Sequence, residues 1–294
     1  MSEWSDSIDG VIQHVTLLKE LGQRTVELPV GFFAKWDAAS PVSKAPVPQG
    51  VSQPRHATVT PSGKPAPFEK FKLPDSVEIE ESRSPVTGVA LSAEARVQAL
   101  AKMAERVTIC TECPLHAGRT KTVLGQGNSN SPDVMFIGEA PGEDEDIQGL
   151  AFVGAAGMFL TKMINAMGYQ REDVYIANIC KCRPPNNRPP EQHEIHKCLP
   201  FLREQIGIVR PKIIVLLGGT AIKALLNQTG VMRIQGQWTA YEGIPVMPTY
   251  HPSYIIRFEN KGDEEGTRAA KLQVWNALKL VLARLGKAVP TPKK

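Results

Sequence analysis

The sequence predicts an α/β domain of three layers, in which a central, mostly parallel sheet of four strands lies between two layers of helices. The first observation is a set of four short apolar runs, at 134–137, 174–179, 212–217 and 244–249. The second is that helical patterns fall between these runs, and such alternation is typical of a parallel sheet covered on both faces. The third is the run at 134–137 itself, which is too short for a helix and apolar throughout, as expected of a strand buried on both faces.

The helices of this domain are placed by their apolar spacing and their end signals. Ser92 is a suitable N-cap for a first helix that runs directly into Cys110, because apolar residues recur behind it at intervals of three and four. Further helices are predicted at about 157–167, 191–206, 220–227 and 267–285. We find no internal repeat.

The first ninety residues differ in composition from the rest of the chain. Apolar residues within 5–22 recur at helical spacing, so we expect one amphipathic helix there, which is available to a protein partner. Residues 33–88 are rich in Pro, Ser, Lys and Ala and show no sustained period, which is typical of an extended linker with little order. We therefore expect residues 1–90 to form a helix and a linker, and residues 91–294 to form the folded domain.

Composition limits the class of protein. The chain has 294 residues, of which 42% are hydrophobic, enough for one sizeable core. Its net charge of +4 mildly favours an anionic partner such as DNA. No apolar run approaches the length of a membrane span, and no basic segment followed by an apolar one opens the chain, so we expect a cytoplasmic protein. Five cysteines without a secretion signal favour a metal or cluster site over a disulfide framework.

A glycine and proline turn follows the first strand. The segment Gly-Glu-Ala-Pro-Gly at 138–142 can direct several backbone N–H groups one way, and it lies at the carboxyl end of a strand, where open α/β sheets bind ligands. It lacks the spacing of a dinucleotide loop and the lysine of a P-loop. The four acids at 143–146 follow, and the Phe152 ring is close enough in sequence to form one wall of a pocket. The alternative interpretation is a solvated acidic loop.

The cysteines form a second pattern. Cys110 and Cys113 lie on one tight turn, whereas Cys182 and Cys198 form a looser pair. From spacing alone, an iron–sulfur cluster, a structural zinc site and unligated buried thiols all stay open. Cys180 is a fifth thiol, two residues from Cys182, so either of these two could be the third ligand.

Four segments together resemble the iron–sulfur (family 4) uracil-DNA glycosylases. They are GEAPGEDED with FVGAAG, CTECPLHAGRT, the NxxKCRPP pattern that begins at Asn178, and the HPSYIIR segment that begins at His251. The resemblance covers about residues 107–285. This chain departs from the family at Leu150, where a basic residue is usual, and at Ala151, where proline is usual.

The resemblance implies a DNA repair enzyme that hydrolyses the N-glycosidic bond of deoxyuridine, releases uracil and leaves an abasic site. It implies a 4Fe-4S cluster with a structural role, ligated by Cys110, Cys113, Cys182 and Cys198, with Cys180 spare. The partner would be uracil-containing DNA, single- or double-stranded, bound by a monomer in the cytoplasm and associated with the nucleoid.

The resemblance also implies a set of site residues. Catalysis would rest on Glu139 or Glu145, which would orient water or screen the positive sugar, and on His251, which would donate to the uracil O2. Asn178 would read the O4 and N3–H edge of uracil, which cytosine would mismatch, and Phe152 would stack on the base. The remaining substrate contacts would come from Gly138, Ala140, Pro141, Gly142 and Ser253, and the wedge inserted into the duplex from Ile255, Ile256 and Arg257.

Two other classes stay open at this point. One is a non-catalytic or covalent uracil-DNA-binding relative, although that subgroup carries a His-bearing basic insert where this chain has the proline-rich segment 183–190. The other is an iron–sulfur module that serves a DNA polymerase or an electron-transfer partner through residues 5–22.

Overall fold

A computed structural model describes residues 91–290 of the chain. The helix and linker expected in residues 1–90 lie outside the described residues. The described part contains one sheet of six strands in the order β1-β3-β2-β4-β6-β5. The strands are β1 (Gln126–Gly127), β2 (Val134–Gly138), β3 (Tyr175–Asn178), β4 (Ile213–Leu217), β5 (Thr239–Tyr241) and β6 (Ile244–Thr249).

The four inner strands, β3, β2, β4 and β6, are mutually parallel. They are the four strands that the sequence predicts, so the mostly parallel sheet is confirmed. The edge strands β1 and β5 pair antiparallel with β3 and β6 and were not predicted. They contain two and three residues, which is too short for a periodic pattern to be recognised.

Eight α-helices are found in residues 91–290. They are α1 (Ala93–Thr108), α2 (Glu143–Gln148), α3 (Ala155–Ala166), α4 (Gln192–Val209), α5 (Gly219–Leu226), α6 (Val231–Ile234), α7 (Pro252–Asn260) and α8 (Glu264–Arg284). Short 3₁₀ turns cover Pro114–Ala117 and Pro185–Asn187. No helix in the described range is long and apolar enough to cross a membrane.

The helices cover both faces of the sheet, because successive residues of a strand point to opposite sides. On one face, Phe136 and Val215 pack with buried residues of α3, α7 and α8. On the other, Ile137 and Leu216 pack with buried residues of α1, α4 and α5. The three-layer architecture predicted from the sequence is thereby confirmed.

The helix starts follow local chemistry. The Ser92 side chain accepts a hydrogen bond from Ala95 N at 3.2 Å and caps α1, as the sequence predicts. The acidic run at 143–146 is not the solvated loop of the alternative interpretation, because it forms the start of α2. This helix ends at Gly149, which has a left-handed conformation with φ of 78°. Glu145 and Asp146 of this helix are buried, whereas Glu143 and Asp144 are exposed.

Candidate active site and cysteine centre

A large cleft opens at the carboxyl ends of the parallel strands. Gly138 of β2 pairs with Asn178 of β3, so the ends of these two strands are neighbours. Most of the residues assigned to the site from the sequence line this cleft, namely Glu139, Ala140, Pro141, Gly142, Glu145, Phe152, Asn178, His251, Ser253 and Ile256. The structure therefore brings together residues that are more than a hundred positions apart in the chain, such as Glu139 and Ile256.

Gly138 lies behind the cleft and makes room for two of its walls. A Cβ atom at this position would lie 2.4 Å from Phe152 Cζ and 2.5 Å from Asn178 Oδ1. Any other residue would displace the ring or the amide. Gly138 therefore does not line the cleft, and its contribution is that the absence of a side chain leaves room for the Phe152 ring and the Asn178 amide.

Phe152 is held in a strained backbone conformation. Its φ is 54°, in the left-handed region that non-glycine residues rarely occupy. Gly157 packs against it so closely that a Cβ there would lie 1.9 Å from the Phe152 carbonyl oxygen. The ring is 5% exposed, and its centroid lies 5.7 Å from that of the His251 ring. Such strain persists only where the surroundings impose it, so the position of this ring is fixed before any ligand binds.

Glu145 supplies part of that constraint. Its Oε1 accepts hydrogen bonds from Val153 N at 2.7 Å and Gly154 N at 2.8 Å, and its Oε2 accepts one from Gly142 N at 3.0 Å. Both carboxylate oxygens therefore accept hydrogen bonds from backbone N–H groups, Oε2 from the Gly142 turn and Oε1 from the segment after Phe152. Glu139, by contrast, is partly exposed to the cleft, and one of its oxygens accepts from the Thr220 hydroxyl.

Asn178 presents an unsatisfied group to the cleft. The side chain is 1% exposed, and its Oδ1 has no hydrogen-bond partner. A buried acceptor without a donor costs about 1 to 3 kcal/mol, so such an atom points to a partner that arrives with a ligand. The geometry of β3 fixes the amide at the strand end that faces the cleft.

His251 is the N-cap of α7, and its protonation state follows from its contacts. Its Nδ1 accepts from Ser253 N at 3.2 Å and lies 2.8 Å from Ser253 Oγ. Because the backbone N–H can only donate, Nδ1 carries no proton, and the neutral ring has its proton on Nε2. Burial, and secondarily the charge of Arg257, lowers the pKa of His251 to about 4. The ring is therefore a neutral donor at pH 7.

The three residues assigned to a wedge lie in different environments. Ile256 lines the cleft, and Arg257 is exposed on α7, with its Nε donating to Ser253 O at 3.3 Å. Ile255 is 0% exposed and packs in the core cluster with α8, because it faces the sheet on a helix that the sequence analysis did not anticipate. The structure does not place Ile255 with the other two.

Several cleft residues were not assigned a role from the sequence. Pro184, Asn187 and Arg188 line the cleft opposite the Gly138 turn, and Arg188 is held by two hydrogen bonds to the buried Glu194 at 2.7 and 2.8 Å. The available signal was their position after β3, since the loops that follow parallel strands form the ligand-binding edge. Thr220, which contacts Glu139, carried the same signal, because it follows the parallel strand β4.

Four cysteines line a second, smaller cavity, which is the candidate cluster site. They are Cys110, Cys113, Cys182 and Cys198, the same set that the resemblance implies. Cys180 is buried beside the cavity and is absent from its lining; its thiol hydrogen bonds to Cys198 and, with Lys181, lowers the pKa of Cys198. Among residues 91–290, no group of three or more His, Cys, Asp or Glu side chains meets closely enough to hold a metal ion.

Hydrogen bonds to sulfur surround this cavity. Arg119 Nη1 donates to Cys182 Sγ at 3.2 Å, and Lys181 N donates to Cys198 Sγ at 3.2 Å. Donors of this kind stabilise thiolates and are typical of cluster ligands. The donor set, four sulfurs with N–H groups directed at two of them, fits an iron–sulfur group.

The fold and the cleft define a known class of protein. A family model described as the uracil DNA glycosylase superfamily matches residues 124–279. The match covers more than half of the chain and includes every lining segment of the cleft. The chain therefore belongs to the uracil DNA glycosylase superfamily and, within it, to the type-4 family, by the similarities that follow.

Three relatives have the name type-4 uracil-DNA glycosylase. The protein from Thermotoga maritima is 46% identical over 167 residues, which are 55% of this chain and 84% of the relative. That from Sulfurisphaera tokodaii is 45% identical over 170 residues, 54% of this chain and 77% of the relative. That from Saccharolobus solfataricus is 46% identical over 164 residues, 52% of this chain and 76% of the relative. The resemblance indicated by the sequence motifs is confirmed.

Proposed function

We propose that this protein is a uracil-DNA glycosylase, which hydrolyses the N-glycosidic bond of deoxyuridine in DNA, releases uracil and leaves an abasic site for base excision repair. The observation that carries the proposal is the buried, unpaired Asn178 Oδ1 in a cleft that also contains Phe152 and His251. An acceptor, an aromatic face and a neutral donor are what an extruded uracil requires.

Recognition of the base rests on Asn178 and Phe152. The unpaired Oδ1 accepts a hydrogen bond from uracil N3–H, and the amide NH₂ donates to O4. Cytosine presents a bare N3 and an N4 amine at these positions, so both contacts fail. The Phe152 ring supplies a stacking surface whose position is already set by its backbone. The motif backbone at 138–142 and Ser253 complete the walls of the cleft.

Cleavage develops negative charge on uracil N1 and O2 and positive charge on the sugar. His251 donates from Nε2–H to O2, and because the ring is neutral the hydrogen bond strengthens as the charge on O2 grows. Glu139 is the carboxylate with a free face toward the cleft, and it orients the attacking water and screens the positive sugar. Ala140 follows it where a second acid would be needed for strong general-base catalysis, so stabilisation of the leaving group provides more of the rate.

Glu145 has a different part in this proposal. Both of its carboxylate oxygens already accept backbone hydrogen bonds, three in all, so neither is left free to orient water. We assign it to positioning: it holds the Gly142 turn and the segment after Phe152 in one arrangement. Water orientation then falls to Glu139.

The proposed cofactor is a 4Fe-4S cluster. Cys110, Cys113, Cys182 and Cys198 would hold it, and when bound it cross-links the end of α1, the loop after β3 and α4. It supplies this structural link and no chemical step. The sulfur contacts from Arg119 and Lys181 support this assignment, and the Cys180 thiol acts as a further donor to Cys198 and is not a ligand.

DNA contacts are proposed for the rim of the cleft. Ile256 enters the space left by the extruded nucleotide, while Arg257 and the loop containing Arg183 approach the phosphates. The protein acts as a monomer, in the cytoplasm and on DNA of the nucleoid, and residues 5–22 are available to a protein partner.

The test is a cleavage assay on end-labelled oligonucleotides that contain one uracil, in single- and double-stranded form. Alkali converts each abasic site into a strand break, so uracil-dependent breaks are expected, with none at cytosine or thymine. A protein–DNA adduct that survives denaturation would instead identify a covalent binder. Uracil binding without breaks or adducts would contradict the proposal, as would absence of both binding and cleavage in protein that retains its iron.

A further inference from the structure

Two neighbouring acids of α2 face different parts of the protein. Glu145 is 8% exposed and Asp146 2% exposed, although they lie in a helix of six residues that begins on the surface. Adjacent residues of a helix point about 100° apart, so two consecutive buried carboxylates necessarily contact different neighbours. Each makes hydrogen bonds to a separate loop.

Asp146 binds the loop that follows the first cysteine pair. Thr120 N donates to its Oδ1 and Oδ2, both at 3.0 Å, and Lys121 N donates to Oδ1 at 3.3 Å. The carboxylate therefore holds two successive backbone N–H groups. Buried carboxylates that accept backbone N–H groups make stronger hydrogen bonds than neutral acceptors.

The same loop is attached to the cysteine centre one residue earlier. Arg119 Nη1 donates to Cys110 O at 2.9 Å and to Cys182 Sγ at 3.2 Å, and its Nη2 donates to Thr108 O at 2.6 Å. One guanidinium thus joins the end of α1, the first cysteine and the third. Thr120 and Lys121, whose backbone N–H groups bind Asp146, directly follow this arginine in the chain.

On the other side of α2, Glu145 binds the segment after Phe152. Its hydrogen bonds to Val153 N and Gly154 N fix the residues that directly follow the strained Phe152 backbone. A path of hydrogen bonds and intervening backbone therefore runs from the Cys182 sulfur through Arg119, the loop that Asp146 binds, and α2 to the residues that directly follow Phe152.

We propose that Asp146 is a positioning residue, which fixes α2 to the cysteine centre so that Glu145 can hold the Phe152 ring in place for the extruded base. The role of Phe152 in this inference rests on the proposed function. The hydrogen bonds that join α2 to both loops do not depend on it. Asp146 is not among the residues that line the cleft or the cysteine cavity, so its effect on the reaction is indirect.

The test compares Asp146→Asn with Asp173→Asn. The first change keeps the shape of the side chain but removes its charge and replaces one acceptor oxygen with an NH₂ group. The control removes the charge of another carboxylate that accepts a backbone hydrogen bond, from Gln170 N at 2.7 Å, on an exposed turn away from the cleft. Both proteins are purified anaerobically, and iron and sulfide are measured before any other experiment.

The decisive measurement is hydrogen exchange of DNA-free protein, resolved to the segments 119–122 and 150–157. Asp146→Asn should accelerate exchange in both segments at unchanged iron content, and single-turnover excision should fall about tenfold while DNA affinity stays within about twofold. Asp173→Asn should change none of these. Glu145→Gln should accelerate exchange in 150–157 alone, and it gives a second measurement of the link if Asp146→Asn does not fold.

Unchanged exchange at 150–157 in Asp146→Asn would overturn the proposal, because the link would then end at α2. In an iron-replete Asp146→Asn protein, accelerated exchange without a loss of excision rate would also overturn it. If the wild-type protein excises no uracil but the exchange pattern appears as described, the proposed function fails while the physical link stands.

Discussion

Removal of the His251 side chain is the change that most directly tests the mechanism. The ring lies at the end of β6, caps α7, and has its Nδ1 occupied by the Ser253 backbone and hydroxyl. With a pKa lowered to about 4 by burial and then by Arg257, only about one ring in a thousand is protonated at pH 7. His251 is therefore a neutral Nε2–H donor, and in the proposed mechanism its hydrogen bond to O2 would strengthen only as the bond to the sugar breaks.

The magnitude follows from this difference between ground and transition states. Loss of one donor to a developing oxyanion costs about 2.7 to 4 kcal/mol, which corresponds to a fall of about a hundredfold to a thousandfold in rate. His251→Ala should slow single-turnover excision by that factor, and DNA affinity should change much less. His196→Ala, which removes an exposed histidine of α4, is the matched control.

The pH dependence of the excision rate and of the stability provides a second test of His251. Because the folded pKa lies near 4, the wild-type excision rate should show no limb with a pKa near 6.5. The unfolded chain, with an ordinary histidine pKa near 6.5, binds a proton first as the pH falls. The contribution of neutral His251 to stability is therefore fully present above about pH 6.5 and is lost towards pH 4, by at most about 3 kcal/mol given the size of the pKa shift.

Rates are measured under single-turnover conditions between pH 5 and 8, and unfolding free energies from urea titrations at pH 7 and pH 4.5. When the pH is lowered from 7 to 4.5, the unfolding free energy of His251→Ala should fall by less than that of the wild type. Wild-type excision rates in His251→Ala would refute the role of the donor. A wild-type rate limb near pH 6.5 that is absent from the variant would refute the neutral ring.

Four further predictions test other parts of the molecule. Asn178→Ala should reduce both uracil excision and discrimination against cytosine in oligonucleotide assays, without lowering the urea midpoint, because its Oδ1 has no partner to lose. Cys182→Ala should lower iron content and solubility more than Cys180→Ala, and the reverse order would reassign the ligand. Asp133→Asn should destabilise the protein by about 1 to 2 kcal/mol at pH 7 in urea titrations, with the difference shrinking progressively as the pH falls below about 4, because two lysines and a tyrosine hold the pKa of this carboxyl well below its usual range despite its burial. Deletion of residues 1–90 should leave iron content and uracil excision nearly intact, and a loss of either would contradict the predicted boundary.

The inner sheet was predictable because its strands are buried on both faces. A strand such as β4, with five apolar residues in succession, can be recognised without any knowledge of its neighbours. The cap at Ser92 was likewise predictable, since capping is decided within one turn. The rule that loops after parallel strands form the ligand-binding edge predicted a site at the turn 138–142, whereas the roles of Asn178 and His251 came from the resemblance.

Features that depend on contacts between distant segments were not predictable. Glu145 was one of two candidates to orient water or screen the sugar, but its partners Val153 and Gly154 are eight and nine residues away, and only the folded turn brings them within reach. Ile255 was assigned to the wedge because it follows the His251 motif. The turn of α7 places it inward, and one residue of helical rotation separates it from Ile256 at the cleft.

The base site combines features that each reduce the stability of the free protein. The Asn178 oxygen is buried without a donor, and the Phe152 backbone is held at a positive φ, so each costs about 1 to 3 kcal/mol in the absence of DNA. Uracil N3–H would satisfy the first, whereas cytosine, with no hydrogen on N3, would leave it unpaired. A site that contains an unpaired polar group rejects an analogue far more strongly than an apolar pocket can, because the wrong base leaves that group buried and unsatisfied. The atom that weakens the free protein is therefore the atom that can distinguish the two bases.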